Sequence, residues 1–380
     1  MSFTSLGLSD QLLKAVAEKG FTKPYPIQQQ AIPAILKGKD VLGIAQTGSG
    51  KTASFALPIL QRFAGLTPLR NRSIRGLVLV PTRELAVQVG EVFQELGQYL
   101  SRRIKTVAVF GGVSINPQMM QLAGTEILVA TPGRLLDLIA SKAVRLSEVE
   151  VLVLDEADKM LNLGFKEEMD QIFALLPNER QNVLFSATLA DDVAAIKEKL
   201  LINPVTIEIQ AEQQNTNLIK QTAYKVADES KGPFLRYLIK QQNMQQVLVF
   251  ISSTKKADNV AAKLNKNGIV AMAMHSGKSQ GARTEALKQF KAGKVRVLVA
   301  TDLASRGIDI QFLPYVINYD LPRSPKDYVH RIGRTGRAEA EGEAISMISP
   351  DEMHHFKIIQ KKMGKQVPLL DTEDVDLKGF

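Results

Sequence analysis

Residues 45–52, Ala45-Gln46-Thr47-Gly48-Ser49-Gly50-Lys51-Thr52, constrain the fold more than any other stretch. The apolar run Val41-Leu42-Gly43-Ile44 precedes them, and a helical pattern with Phe55, Leu57 and Ile59 follows. A strand, a glycine-containing turn, Lys-Thr and a helix together predict a phosphate-binding loop. Gly48 and Gly50 let the backbone curl so that successive N–H groups point at one anion. The positive end of the following helix faces the same spot. Lys51 then reaches the β- and γ-phosphates of a nucleoside triphosphate, and the Thr52 hydroxyl takes a Mg²⁺ position. Ala45 stands where the common pattern has its first glycine.

The rest of the first half repeats the strand–helix grammar that such a loop requires. Val41–Ile44 runs into the loop, and Leu77–Val80 into Pro81-Thr82-Arg83. Ile127–Ala130 runs into Thr131-Pro132-Gly133-Arg134, Val151–Leu154 into Asp155-Glu156-Ala157-Asp158, and Val183–Phe185 into Ser186-Ala187-Thr188. Five short aliphatic runs separated by helical patterns predict buried parallel strands joined by crossovers. The helix after Glu84, for one, places Leu85, Val89, Val92, Phe93 and Leu96 on one face. Ligands lie beyond the carboxyl ends of such strands, so the five polar clusters are expected to converge on one face. Asp155 follows a buried strand, where a carboxylate is costly unless something pairs with it. Beside a phosphate loop it is expected to hold Mg²⁺ directly or through water, and Glu156 to orient and deprotonate the attacking water.

At 380 residues the chain exceeds what one hydrophobic core supports. Residues 203–217 break the rhythm: Asn203-Pro204 stops a helix, a short strand follows, and 210–217 is polar without periodicity. The expected division is therefore 1–207, a linker at 208–217, and 218–380. The second half resumes with Val247–Phe250, Ile269–Ala273, Val295–Ala300, Tyr315–Asn318 and Ala344–Ile348, and has no phosphate loop of its own. Ser324 and Pro325 start a helix that Gly333 ends, after which Arg334 and Arg337 project from a glycine-flanked stretch. Paired guanidiniums suit the charge that spreads over a transferring phosphoryl group. Lying in the half without the loop, they can act only if the two domains close.

Lys plus Arg outnumber Asp plus Glu 48 to 39, which suits a polyanionic partner. Thr82-Arg83 and Thr131–Arg134 each join a strand to a helix, so backbone N–H groups and an arginine meet where a sugar–phosphate backbone could be held. Gly111-Gly112 and, in the other half, Gln280, Arg283 and Thr301 add contacts. With aromatics at 6% and no Trp, grip through phosphate and ribose is expected over base stacking. No cysteine is present, which excludes disulfides and cysteine metal sites, and no run approaches ~18 apolar residues. An intracellular, cytoplasmic protein without a membrane span is expected.

Near the N-terminus Ser9 is expected to cap a helix with Leu12, Leu13, Val16 and Ala17 on one face, stopped by Gly20. Phe21–Gln28 is held extended by Pro24 and Pro26, where an aromatic could stack on a base and the Gln28 amide match the N6 and N7 edge of adenine; a plain turn reads as well. Arg70, Arg72 and Arg75 read as a solvated loop, His354-His355 as an exposed pair, and the late methionines as core.

In order along the chain, GFTKPYPIQ, AQTGSGKT, PTREL, GG, TPGR, DEAD, SAT, VLVFIS, ATDLASRGID and HRIGRTGR resemble the motifs of the DEAD-box ATP-dependent RNA helicases of superfamily 2. The stretch 110–120 and the segment 278–283 look most like the bacterial RhlE-type subgroup. The resemblance implies an α/β fold of two tandem RecA-like domains with parallel sheets, ATP between them and RNA across both. It implies that Phe21 and Gln28 recognise adenine with support from Phe3, that Asp309 reaches the ribose, and that Arg334 and Arg337 are arginine fingers. Ser186 and Thr188, with Asp158 and His330, would couple hydrolysis to closure. His275-Ser276-Gly277 and Ser253 depart from the family pattern, which bears on RNA contacts there. The acidic stretch Asp371–Asp376 stands where RhlE-type relatives often continue into a basic extension.

Three activities remain open on these residues: an RNA-stimulated ATPase that unwinds or remodels RNA, an ATP-gated RNA clamp with little strand separation, and a P-loop small-molecule kinase. The kinase predicts one α/β domain, against which the second half and its paired arginines argue. A monomer is expected, with ribosome-assembly or RNA-decay proteins as partners.

Overall fold

The computed structural model describes residues 2–46, 48–69, 72–209, 219–302, 313–336 and 342–380. Two compact units, Met1–Ala211 and Glu212–Phe380, divide the chain. The expected linker at 208–217 falls for the most part outside the described residues.

The first unit is built on β1 (Val41–Ile44), β2 (Gly76–Leu79), β3 (Thr106–Val109), β4 (Ile127–Ala130), β5 (Val151–Leu154), β6 (Gln181–Ser186) and β7 (Val205–Glu208). They pair in the order β3-β4-β2-β5-β6-β1-β7, every pair parallel. Each residue of β1, β2, β4, β5 and β6 is buried, because helices cover both faces. Strand alternation sorts those residues into two cores. Val41, Val78, Val129, Val153 and Val183 pack on one face with Phe55 and Phe93. Leu42, Leu77, Leu128, Leu152 and Leu184 pack on the other with Leu135, Met160 and Phe173.

The five expected strands form within a residue or two of their predicted ends. The helix Arg83–Leu96 buries Leu85, Ala86, Val89, Phe93 and Leu96, as its period requires. The helix Asp10–Glu18 buries Leu12, Ala15 and Val16, so its inner face carries Ala15 where Ala17 was expected, and Ala17 is exposed. Gly20 follows it at φ +71°, the left-handed stop that glycine permits.

The second unit repeats the layout with β8 (Ile219–Lys225), β9 (Val247–Ile251), β10 (Ala271–Met274), β11 (Val297–Thr301), β12 (Tyr315–Asn318), β13 (Gly342–Ile348) and β14 (Leu369–Asp371). Their order is β10-β11-β9-β12-β13-β8-β14, again all parallel. Among the described residues no helix is long and apolar enough to cross a membrane.

Candidate active site and nucleic-acid interface

In the first unit the strand order splits the carboxyl edge into two working halves. β5, β6 and β1 are consecutive, so the acidic pair, Ser186 and the phosphate loop leave neighbouring strands. At ~4.8 Å per strand, Asp155 stands on the order of 10 Å along the edge from the loop, with Ser186 between. β2, β4 and β3 form the other half and carry Pro81–Arg83, Thr131–Arg134 and Gly111-Gly112.

Gly48 and Gly50 both take left-handed backbone, at φ +85° and +87°. Gly50 has a second requirement: a Cβ there would stand 2.6 Å from Gln28 Nε2 and 2.8 Å from Tyr25 Cδ2. Lys51 begins the helix Lys51–Ala64, is buried, and its Nζ donates to the Ala45 carbonyl at 2.8 Å across the loop. Ser49 Oγ donates to Gln46 O at 2.8 Å. The Ala45 N–H donates to Ser186 O at 3.0 Å, joining the loop to the end of β6. Thr52 follows in the helix's first turn, half-buried, and Thr47 lies outside the described residues.

Gln28 is not in an extended segment. Pro26 starts the helix Pro26–Leu36 at its first position, and Gln28 sits in the first turn, completing a capping box. Its Oε1 accepts from the Tyr25 N–H at 2.9 Å and its Nε2 donates to Gly50 O at 3.1 Å. One N–H and one lone pair of the amide remain for a ligand. Phe21 is 40% exposed and lies against the buried Phe3 ring, centroids 6.5 Å apart and 23° from parallel.

Asp155 is 2% exposed and its Oδ1 has no hydrogen-bond partner. Burial pushes its carboxyl up to about 6; Lys51 opposes that rise, Glu156 adds to it and Lys159 opposes it again. A buried carboxylate oxygen without a donor, on the edge that also carries the phosphate loop, is the hard oxygen ligand that Mg²⁺ takes, so the residue fits that ion. Glu156 adopts left-handed backbone (φ 55°, ψ 48°), a strained choice for a non-glycine that concentrates at functional sites. Its Oε1 pairs with Lys159 Nζ at 2.6 Å. Asp158 Oδ1 accepts from the Ala187 N–H at 3.5 Å, and Ser186 Oγ donates to Thr188 O at 2.7 Å. The DEAD and SAT segments are thereby bonded to each other.

On the other half of this edge, Thr82 caps the helix Arg83–Leu96 by accepting from the Leu85 N–H. The Arg83 guanidinium lies directly over Gly112: a Cβ on Gly112 would meet Arg83 Nη2 at 1.8 Å, and Gly112 itself is left-handed at φ +75°. Thr131 Oγ1 accepts from the Gly111 N–H at 3.4 Å. Arg134 is buried, donates from Nη2 to Val113 O at 2.7 Å and from Nε to Asp137 at 3.3 Å, and leaves Nη1 without a partner.

In the second unit Thr301 ends β11 and is buried, and Gln280 and Arg283 lie in the first turn of the helix Gln280–Lys291, half-buried. His330 is exposed near the end of the helix Pro325–Ile332, and Arg334 is half-buried just after it. Asp309 and Arg337 lie outside the described residues. Sequence reasoning passed over Arg331, which organises this region. It is 2% exposed; Nε and Nη2 fork onto Asp302 at 2.6 and 2.7 Å, and Nη1 donates to Asn318 Oδ1 at 3.1 Å and Asp320 O at 2.7 Å. Its only signal was position: it falls in the last turn of the helix Pro325–Ile332, whereas Arg334 lies beyond the Gly333 cap. Arg75 also departs from expectation: it is buried against Glu126 and Glu150 at 3.4 and 3.1 Å. His355 is half-buried with Nε2 2.7 Å from Pro322 O, while His354 is exposed.

Two parallel α/β units, the first with a phosphate loop beside a buried acidic pair, define a RecA-like P-loop ATPase. Residues 25–196 match the DEAD/DEAH box helicase model and residues 230–339 the helicase conserved C-terminal domain. The chain is 40% identical over 376 residues to the DEAD-box ATP-dependent RNA helicase CshA of Bacillus cereus, spanning 99% of this chain and 70% of that protein. A CshA from Geobacillus kaustophilus is 39% identical over 383 residues, 100% and 80% of the two chains. Among solved structures it is similar to S. cerevisiae Dbp5 bound to RNA and ADP BeF3 (TM-score 0.81, 33% identity, 98% and 96% covered). A DEAD box protein from Methanococcus jannaschii aligns at TM-score 0.55 with 37% identity, 97% and 99% covered. The chain belongs to the DEAD-box ATP-dependent RNA helicases, which are RNA-stimulated ATPases.

Proposed function

We propose that this enzyme couples ATP binding and hydrolysis to closure of its two units on single-stranded RNA, and so separates short duplexes or remodels ribonucleoproteins. The observation that carries the proposal is a bonded path along one sheet edge: Ala45 to Ser186, then Ala187 to Asp158, beside Asp155 and Glu156. A nucleotide on the loop would take the Lys51 ammonium from the Ala45 carbonyl. Mg²⁺ held by Thr52 and Asp155 would neutralise phosphate charge. Glu156, fixed by its left-handed backbone, would then accept a proton from the attacking water. Arg334 and Arg337 would complete the site only when the units close, with Asp309 on the ribose and Phe21 and Gln28 on the base. Pro81, Thr82, Arg83, Gly112, Thr131, Arg134, Gln280, Arg283 and Thr301 would hold RNA through its backbone. RhlE-type membership, a cytoplasmic location, monomeric action, the 1–207, 208–217 and 218–380 boundaries, and partners in ribosome assembly or RNA decay belong to the same proposal.

The test is ATP hydrolysis with and without single-stranded RNA, for wild type and Glu156→Gln. Stimulation by RNA, lost in the variant while ATP still binds, supports coupling; equal rates with and without RNA refute it. Binding should weaken with salt at a slope of about −0.7 per phosphate contacted. A duplex-displacement assay separates unwinding from the clamp reading, which predicts RNA-stimulated hydrolysis without displaced strand.

A further inference from the structure

The second unit contains a cavity that none of the roles above uses. It lies between the helices Lys231–Gln241 and Thr254–Lys266, has a volume of about 230 Å³, and is walled by Pro233, Val260, Leu264, Tyr319 and Arg236. Arg236 is nine-tenths buried, and its Nε is enclosed with no hydrogen-bond partner. Gly232 keeps the approach to Arg236 open: a Cβ there would sit 3.7 Å from Arg236 Nη1 and 3.8 Å from Tyr319 Oη. A buried guanidinium with an unmatched donor is costly, and what satisfies it best is a carboxylate or a phosphate.

The other charges around the cavity choose between those two. Asp228 pairs with Lys231 at 3.2 Å, and Lys256 pairs with Asp320 at 2.6 Å while lying over the Tyr319 ring. Glu229 and Lys263 complete the lining. Two carboxylates in the wall disfavour a phosphate dianion and tolerate a single negative charge. The volume is below the ~300–1,000 Å³ of small-molecule sites and suits one or two side chains. Apolar walls on Val260 and Leu264 ask for an apolar neighbour to that charge. We infer that this cavity receives a segment of a partner protein in which an acidic residue, seated on Arg236 and Tyr319 Oη, adjoins an aromatic or aliphatic one. The inference is independent of the helicase reading, since none of these residues touches nucleotide or RNA in it.

The test is titration of the full ¹⁵N-labelled chain with Ac-Gly-Glu-Phe-Gly-NH₂, following the amides of Gly232, Asn259 and Tyr319. Saturable shifts are expected at millimolar peptide. The Gln-Phe analogue should bind about tenfold more weakly for want of the charge-assisted bond, and inorganic phosphate should leave the amides unmoved. Arg236→Met should abolish the shifts, and Tyr319→Phe should weaken binding several-fold. Removing an unmatched buried charge should leave Arg236→Met at least as heat-resistant as wild type, with RNA-stimulated hydrolysis within about twofold. No saturable shift, equal affinity for the Gln peptide, binding retained in Arg236→Met, or shifts with phosphate in place of peptide would each overturn the inference.

Discussion

Arg331→Met should lower the stability of the second unit by about 3 kcal/mol, a figure that follows from what the guanidinium touches. Four donor contacts run from this side chain, two forking onto Asp302 and two reaching Asn318 Oδ1 and the Asp320 carbonyl. Methionine keeps the stem's packing and removes all four. Taking one partner from a buried ion pair costs about 3–5 kcal/mol, and the Asp302 side chain is 35% exposed, so water offsets part of the loss and the lower end applies. In a unit of this size ~1 kcal/mol moves the unfolding midpoint by about 2–4 °C, so the transition should fall by roughly 6–12 °C. Arg331→Lys retains the charge but not the fork and should fall between the two. Because the helix Pro325–Ile332 carries His330 and leads into Arg334, RNA-stimulated turnover should drop in both variants while ATP binding to the first unit persists. Scanning calorimetry of the full chain is the assay. A fall of less than about 2 °C for the methionine variant, or a lysine variant equal to wild type, would refute the view that this fork holds the helix in place.

Three further outcomes are expected. The Asp155 carboxyl sits at about 6 in the fold against 3.8 in the unfolded chain, so the folded protein holds its proton more tightly and the cost of ionising it grows from about pH 4 to pH 6 and is complete above. Asp155→Asn should therefore raise stability at pH 7.5 without Mg²⁺, by at most about 3 kcal/mol, with little gain at pH 4 and no hydrolysis; urea unfolding at the two pH values checks the sign. Gly112→Ala combines a left-handed backbone with a Cβ inside contact of the Arg83 guanidinium, and should raise the RNA concentration for half-stimulation while leaving ATP affinity unchanged. Gln28→Ala removes both the helix cap and the tether to Gly50; the KM for ATP should rise and stability fall by about 1 kcal/mol, measured by initial rates and by thermal unfolding.

The strands read best in the sequence were those that physics makes monotonous. β2, β4 and β5 are buried on both faces, so every residue but Gly76 is aliphatic and the run stands out. β8 is paired over seven residues yet carries Lys220, Gln221 and Thr222 in a row, and its pairing with β13 and β14 is what identifies it as a strand. β3 is an edge strand that opens on Thr106 and leaves Ala108 half-buried, so its run is less uniformly aliphatic than those of the inner strands. β14 is exposed throughout and has no apolar demand to write into the sequence. At the site, the phosphate loop and the acidic pair were legible because their chemistry fixes residue type and spacing. Which groups a helical arginine meets inside the fold is a tertiary fact, and so Arg331 was passed over in favour of Arg334, which follows the helix end.

That asymmetry has a physical reading in how this chain treats buried charge. Lys231, Arg75 and Arg331 are almost wholly enclosed, and each meets carboxylates inside the fold: Glu352 at 2.7 Å, Glu126 with Glu150, and Asp302. They neutralise and fix loops and helix ends, and a ligand has nothing to offer them. Asp155 Oδ1 and Arg134 Nη1 are as deeply placed but unmatched, and both lie on the edge where nucleotide and RNA are expected. An unmatched charge raises the free energy of the free protein, so whatever supplies the missing partner binds that much more tightly. Arg236 belongs with this second group by its burial and its orphaned Nε, and no role assigned above to nucleotide or RNA uses it. Gln221 shows the limit of the rule: both its amide atoms are buried and unbonded within β8, but it is neutral, and a neutral amide costs far less to enclose than a charge. Among these residues the fully matched charges of Lys231, Arg75 and Arg331 hold the scaffold, while the buried atoms left unmatched at Asp155 and Arg134 lie on the edge where ligands are expected.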